Sequence, residues 1–274
     1  MKRILVPTDF SQYAENALKA AALIARENDS QIYLLHLIEL PSHIDNGIKA
    51  QSLIPEAVLF VDKANETLQT IARNPYLDGI SVFITVQIET AFEGILSYTK
   101  KNEIDLIVMG SNGASGFKEI LIGSNAEKIV RLSEKPVLIV KDDIGTSTFK
   151  KIVFPTDFSN EAHAPFKSLI EFASIFKSQI DLVLISTPNI FKTTIESEIK
   201  MEEFIQKYNF KNYTLNIFND STIENGITNF ATKMEADLIA ICTHGRTGIA
   251  HFINGSVTQD VVNHNPRPVI TFKI

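Results

Sequence analysis

The sequence predicts two tandem α/β domains, each built on a parallel sheet, and three observations lead there. The chain has 274 residues, more than the roughly 100–200 of one ordinary domain. A strand-then-turn segment recurs, KRILVPTDFS at 2–11 and KKIVFPTDFS at 150–159. Within each half, short β-branched runs alternate with amphipathic stretches, the pattern of βαβ units.

A second echo pairs GASGFKEILIGS (113–124) with GRTGIAHFINGS (245–256), so the halves are collinear repeats. The two echoes lie further apart in the first half, which places extra residues between Pro41 and Pro55. The first domain is read as 1–143 and the second as 150–274, joined by the polar stretch Lys141 to Lys150 with Asp142, Asp143, Gly145 and Ser147. Strands are expected at 2–6, 31–37, 80–86, 105–109 and 136–140, then at 151–154, 180–186, 212–218, 237–242 and 268–273. DLIVM and DLIAI are apolar without alternation, as in strands covered by helices on both faces. The helix after the first strand aligns Ala14, Leu18, Ala21, Ala22 and Ala25 on one stripe, and its counterpart aligns Ala162, Phe166, Leu169, Ile170 and Ala173.

Composition narrows the function. A hydrophobic share of 45% and a charged share of 21% are those of a globular chain. The net charge of −6 argues against nucleic acid as a partner. The opening MKRILVPTDF has too short an apolar run for a signal peptide, and no run approaches a membrane span, so no membrane partner is expected and the cytoplasm is the expected compartment. Cys242 alone precludes an internal disulfide, in keeping with a reducing compartment.

Ligands of open α/β sheets gather at the carboxyl ends of strands where strand order reverses. After the fourth strand comes Gly110-Ser111-Asn112-Gly113, then nine residues, then Gly123-Ser124 at a helix start; the second half has Cys242-Thr243-His244-Gly245, nine residues, then Gly255-Ser256. Seven of the chain's 12 glycines (110, 113, 116, 123, 245, 248 and 255) fall in these two loops, a clustering that favours close backbone approach to a phosphate. The amides and dipole of the following helix would add to it. A structural reading stands beside this one: Ser124 with Glu127, and Ser256 with Gln259, match helix capping boxes that need no ligand.

The pattern G110-x-x-G113, nine residues, G123-S124, preceded by a first strand ending in Pro7-Thr8-Asp9-Phe10-Ser11, resembles the ATP-binding subgroup of the universal stress protein family. Thr243-His244-Gly245-Arg246-Thr247-Gly248 is similar to that family's most recognisable loop, and the resemblance spans both copies. It implies two doubly wound, parallel five-stranded sheets of order 3-2-1-4-5, an adenine nucleotide α-hydrolase-like fold, with the halves paired through their fifth strands and a homodimer as a further assembly. It implies an adenine nucleotide (ATP, ADP or AMP), with magnesium as its companion ion. Pro7, Thr8 and Asp9 would border adenine and ribose, Leu37 would supply a backbone contact to adenine, and Gly110, Gly113, Gly123 and Ser124 would surround ribose and phosphates. In the second copy Asp157, Gly245, Gly255 and Ser256 match, whereas Cys242 replaces the first glycine. If that position needs positive φ, a side chain there weakens the second site.

Other candidates have simpler explanations. Asp9 and Asp157 suit helix entry as carboxylates. His36 lies in an apolar strand, where packing with one hydrogen bond is common, and the six histidines show no metal-ligand spacing. Cys242 ends an apolar strand and reads as a small buried hydrophobe; Arg246 could touch a phosphate. No catalytic residues or metal site are assigned, and neither a Walker Gly-Lys-Ser/Thr nor a His-x-Gly-His signature is present. The expectation is a nucleotide-binding regulatory stress module. The rivals are a slow ATPase or nucleotidyl transferase, and an interaction protein with empty pockets.

Overall fold

A computed structural model of the chain describes residues 1–39, 47–112, 122–145, 148–243 and 255–274, with the side chains of 47–57 and 255–256 outside that description. In the N-terminal half, β1 (Arg3–Pro7), α1 (Gln12–Asn28), β2 (Gln31–Ile38), α2 (Gly47–Ala72), β3 (Val82–Ile88), α3 (Ala91–Lys101), β4 (Leu106–Gly110), α4 (Ser124–Leu132) and β5 (Val137–Val140) follow one another. The C-terminal half repeats the order with β6 (Lys151–Pro155), α5 (His163–Phe176), β7 (Gln179–Ser186), α6 (Thr194–Ile205), β8 (Tyr213–Asn219), α7 (Ile223–Lys233), β9 (Leu238–Thr243), α8 (Gly255–His264) and β10 (Val269–Lys273). Every strand falls within a residue or two of its expected place.

The strands form one sheet in the order β3-β2-β1-β4-β5-β10-β9-β6-β7-β8. Pairing is parallel within each half, and β5 meets β10 antiparallel with Ile270 opposite Leu138. The uniformly apolar strands split their side chains between two cores. Leu106 and Val108 of β4 join α1 and α5 on one face, while Ile107 and Met109 join α4, α7 and α8 on the other. Each fully buried large side chain contributes about 1.5–3 kcal/mol relative to exposure. The expected stripes face inward: Ala14, Leu18, Ala21, Ala22 and Ala25 are buried, as are Ala162, Phe166, Leu169 and Ala173, while Ile170 is only partly buried. The connecting stretch is less uniformly polar than its composition suggests. Phe149 is buried there, with ring centroids 5.8 Å from Phe172 and 5.4 Å from Phe176.

The two copies differ in how the first helix begins. Ser11 caps α1 directly, its hydroxyl accepting from Ala14 N at 3.2 Å. In the second copy the corresponding residues, Asn160–Ala162, form a 3₁₀ turn, and α5 starts only at His163. Pro165 explains the delay. Lacking an N–H, it fits the first turn of a helix, where that donor has no partner, and would break the ladder of a helix begun at Asn160.

His163 stacks on Phe204 (centroids 4.4 Å, 10° between planes), its Nδ1 lies 2.5 Å from the Tyr208 hydroxyl, and the Lys207 ammonium stands 3.0 Å from Nε2. Burial, and then the Lys207 charge, hold its pKa below the usual 6.5. A depressed folded pKa means that the unfolded chain takes up the proton first, so stability is lost as pH falls through 6.5 and further until the folded pKa is reached. The urea midpoint should therefore drop between pH 7.5 and 5.5, and drop less in His163→Gln. An equal drop in both proteins would assign the acid sensitivity elsewhere.

Candidate functional site

The end of β1 is shaped by its own side chains. Thr8 Oγ1 accepts from Phe10 N at 3.1 Å, and Asp9 Oδ1 accepts from Ser11 N at 3.1 Å. These two turns hold Phe10 in the left-handed region (φ 67°), rare for a side chain of that size. The same device recurs in the second copy, where Phe158 has φ 58° and Thr156 and Asp157 accept from Phe158 N and Ser159 N, both at 3.0 Å. The repeated TDFS thus has a structural role in both halves, and Asp9 fulfils its helix-entry role through Ser11.

Beside this turn, a cleft of about 200 Å³ opens at the carboxyl ends of β1 and β4, where the strand order reverses. Pro7, Thr8 and Asp9 form one wall. Leu35, Leu37, Ala91, Ile95 and Met109 make an apolar floor, and Ser111, Asn112, Gly123, Ser124 and Asn125 add polar groups to the lining. Of the first-copy site residues expected from sequence, Pro7, Thr8, Asp9, Leu37, Gly110, Gly123 and Ser124 all line this one cleft. Gly113 lies outside the described residues. Sequence reasoning missed Leu35, Ala91, Ile95 and Met109, whose signal is that of ordinary core, and did not single out Ser111, Asn112 and Asn125. His36 keeps the role expected of it, its Nδ1 2.8 Å from Thr8 O and its ring 4.3 Å from Phe10.

Two readings of the loop change. The capping box of Ser124 with Glu127 does not form: Gly123 is the N-cap, no side chain caps it, and Ser124 is already helical. Among the described residues, no side-chain acceptor meets the first amides of α4 at the cleft wall, where the positive end of the helix dipole also lies. Gly110, for its part, is not in the left-handed region. Its hydrogen matters because α1 comes so close: a Cβ there would stand 2.6 Å from Tyr13 C and 2.7 Å from Tyr13 O. Gly94 of α3 plays a similar part beneath the floor, where a Cβ would meet Leu37 Cδ2 at 2.5 Å.

The C-terminal counterpart is built differently. Cys242 takes an ordinary strand conformation and points into the core, 3% exposed, with burial raising its thiol pKa far above the usual range. Thr156 and Phe158 are buried, Phe158 packing edge-on to Phe204 of α6 at 5.4 Å, whereas Phe10 is exposed. From α6 the Lys200 ammonium donates to Asp157 O at 2.5 Å. Gly245 lies outside the described residues; Gly255 and Ser256 open α8, their side-chain positions also outside the description.

Comparison with known proteins bears on both halves. The model of the universal stress protein family matches residues 1–141 and 220–273, leaving unmatched the Phe-rich stretch between them. A universal stress protein of Synechocystis is 25% identical over 292 aligned residues covering all of both chains. One from Methanocaldococcus jannaschii is 31% identical over 143 residues, 51% of this chain and 82% of its own. Among solved structures, a universal stress protein from Archaeoglobus fulgidus matches with TM-score 0.75 and 25% identity over 99% of this chain and 98% of its own.

Proposed function

The chain belongs to the universal stress protein family, and on that premise we propose that its N-terminal half binds an adenine nucleotide such as ATP, as a regulatory stress-response module of the cytoplasm. One observation carries the reading. Among the described residues, the N-terminus of α4 is capped by no side chain and lines a cleft of mixed apolar and polar groups at the sheet's reversal point. The two ends of that cleft suit the two ends of a nucleotide. Leu35, Leu37 and Ile95 offer a surface to a base, Pro7, Thr8 and Asp9 border base and ribose, and Gly123, Ser124 and Asn125 present amides and a hydroxyl to phosphate. ATP would bring its own anionic charge to the helix terminus, with magnesium as the companion ion of its phosphates.

Binding without rapid turnover is the form proposed, because efficient phosphoryl transfer needs a positioned base or water-orienting group and a metal cage. Denaturing the purified protein and chromatographing what it releases tests ligand identity and stoichiometry together. ATP at 100-fold over its dissociation constant should add about 2.7 kcal/mol to stability and raise the melting temperature, while hydrolysis stays well below about 1 s⁻¹. An unchanged melting curve in millimolar ATP and magnesium would remove the proposal. Turnover that is faster and co-purifies with the protein would replace it with an enzyme.

A further inference from the structure

The segment that leads into α4 is held from both halves of the chain. On one side Gly123 N donates to Ser111 O at 2.7 Å, and Ser111 N in turn donates to Val140 O at 3.1 Å, tying the returning chain to the ends of β4 and β5. On the other side Ile122 N donates to Oδ1 of Asn263, a residue of α8, at 2.9 Å. Both partners are buried, Ile122 at 8% and Asn263 at 3% exposure, so water does not compete for this bond. Asn263 is itself fixed. Its carbonyl accepts from the Lys141 ammonium at 2.6 Å, and Lys141 O accepts from Nδ2 of the buried Asn16 in α1 at 3.2 Å.

From this we infer that Asn263 of the C-terminal half is a positioning residue for the nucleotide site of the N-terminal half: by holding the Ile122 amide, it sets the direction in which Gly123, Ser124 and Asn125 present their amides to phosphate. The inference rests on the proposed nucleotide binding and deepens it, because a half-site of one repeat is then completed by the other. It also gives a reason for asymmetry. Aligning GASGFKEILIGS with GRTGIAHFINGS and continuing along both helices makes Arg131 of α4 the counterpart of Asn263. A guanidinium has five donors and no acceptor, so it cannot receive a backbone amide as Asn263 does. Arg131 therefore cannot supply to the second copy the acceptor that Asn263 supplies to Ile122 in the first.

The test compares Asn263→Leu, which keeps bulk and removes the acceptor, with Asn263→Asp, which keeps an oxygen in place. Asn263→Ala stands in if the leucine variant fails to fold. ATP affinity is measured by calorimetry well below every variant's melting temperature, and exchange of the Ile122 amide is measured in the unliganded proteins. The leucine variant should bind ATP at least roughly tenfold more weakly, a loss of about 1.4 kcal/mol, and exchange Ile122 faster, whereas the aspartate variant should stay within a few-fold of the wild type. Wild-type affinity in the leucine variant would overturn the inference alone, as would an equal loss in the aspartate variant. Absence of ATP binding by the wild-type chain would overturn both the inference and the reading beneath it.

Discussion

Replacing Gly110 by valine should cost about 3 kcal/mol and abolish nucleotide binding by the N-terminal half. The obstacle is backbone, not a side chain that could turn away. A Cβ at 110 would meet Tyr13 C, O and Cβ at 2.6, 2.7 and 2.8 Å. Tyr13 lies in the first turn of α1, just after the Ser11 cap, and the preceding turn contributes Thr8 and Asp9 to one wall of the cleft. Relieving the clash therefore displaces the cap, the turn and the cleft wall together. Gly110→Ala carries the same Cβ and should show most of the effect, which separates close approach from bulk. Urea unfolding and calorimetry check both parts. A valine variant with wild-type midpoint and affinity would show that α1 can retreat from β4 at no cost.

That prediction depends on a cause the sequence does not display. The fold class and the strand positions were legible because apolar runs and duplicated segments are local signals, and they placed every strand to within a residue or two. The cleft was legible where a motif marks it, at Pro7, Thr8, Asp9, Gly123 and Ser124. The reason for Gly110 was not, since a missing Cβ looks the same whether positive φ or a neighbouring helix demands it, and only the 2.6 Å approach of Tyr13 distinguishes them. Ser124 misleads for a smaller reason: with the helix boundary one residue earlier, at Gly123, a serine that matches a capping box becomes a residue of the first turn. Leu35, Ile95 and Met109 read as core because a cleft floor and a core use the same side chains. Asn263 is silent in the sequence, as its partner Ile122 is far away along the chain and contributes only a backbone amide. Pro165 did carry a signal, a proline early in a helical stretch, and its consequence is the 3₁₀ turn before α5.

Cys242→Gly should lose about 3 kcal/mol of stability and gain no tight second nucleotide site. The sequence alone suggested the opposite, that glycine would restore what the second copy lacks, on the premise of a strained backbone at 242. The strand conformation of β9 removes that premise. The side chain is 3% exposed and belongs to the core beside Ala240 and Phe272, so deleting it forfeits its burial and leaves a void. Glycine in a strand interior adds roughly 0.5–1 kcal/mol through the freer unfolded chain. The features that distinguish the second copy also lie elsewhere. Phe158 stays packed on Phe204, the Lys200 ammonium stays on Asp157 O, and the 3₁₀ turn imposed by Pro165 stays in place of a directly capped helix. None of these depends on a thiol at 242. Unfolding midpoints measure the stability term, and calorimetry with ATP counts the sites. A variant of wild-type stability that binds two nucleotides with similar affinity would show that the cysteine alone had closed the second copy, and that Phe158, Lys200 and Pro165 are no barrier to a ligand there.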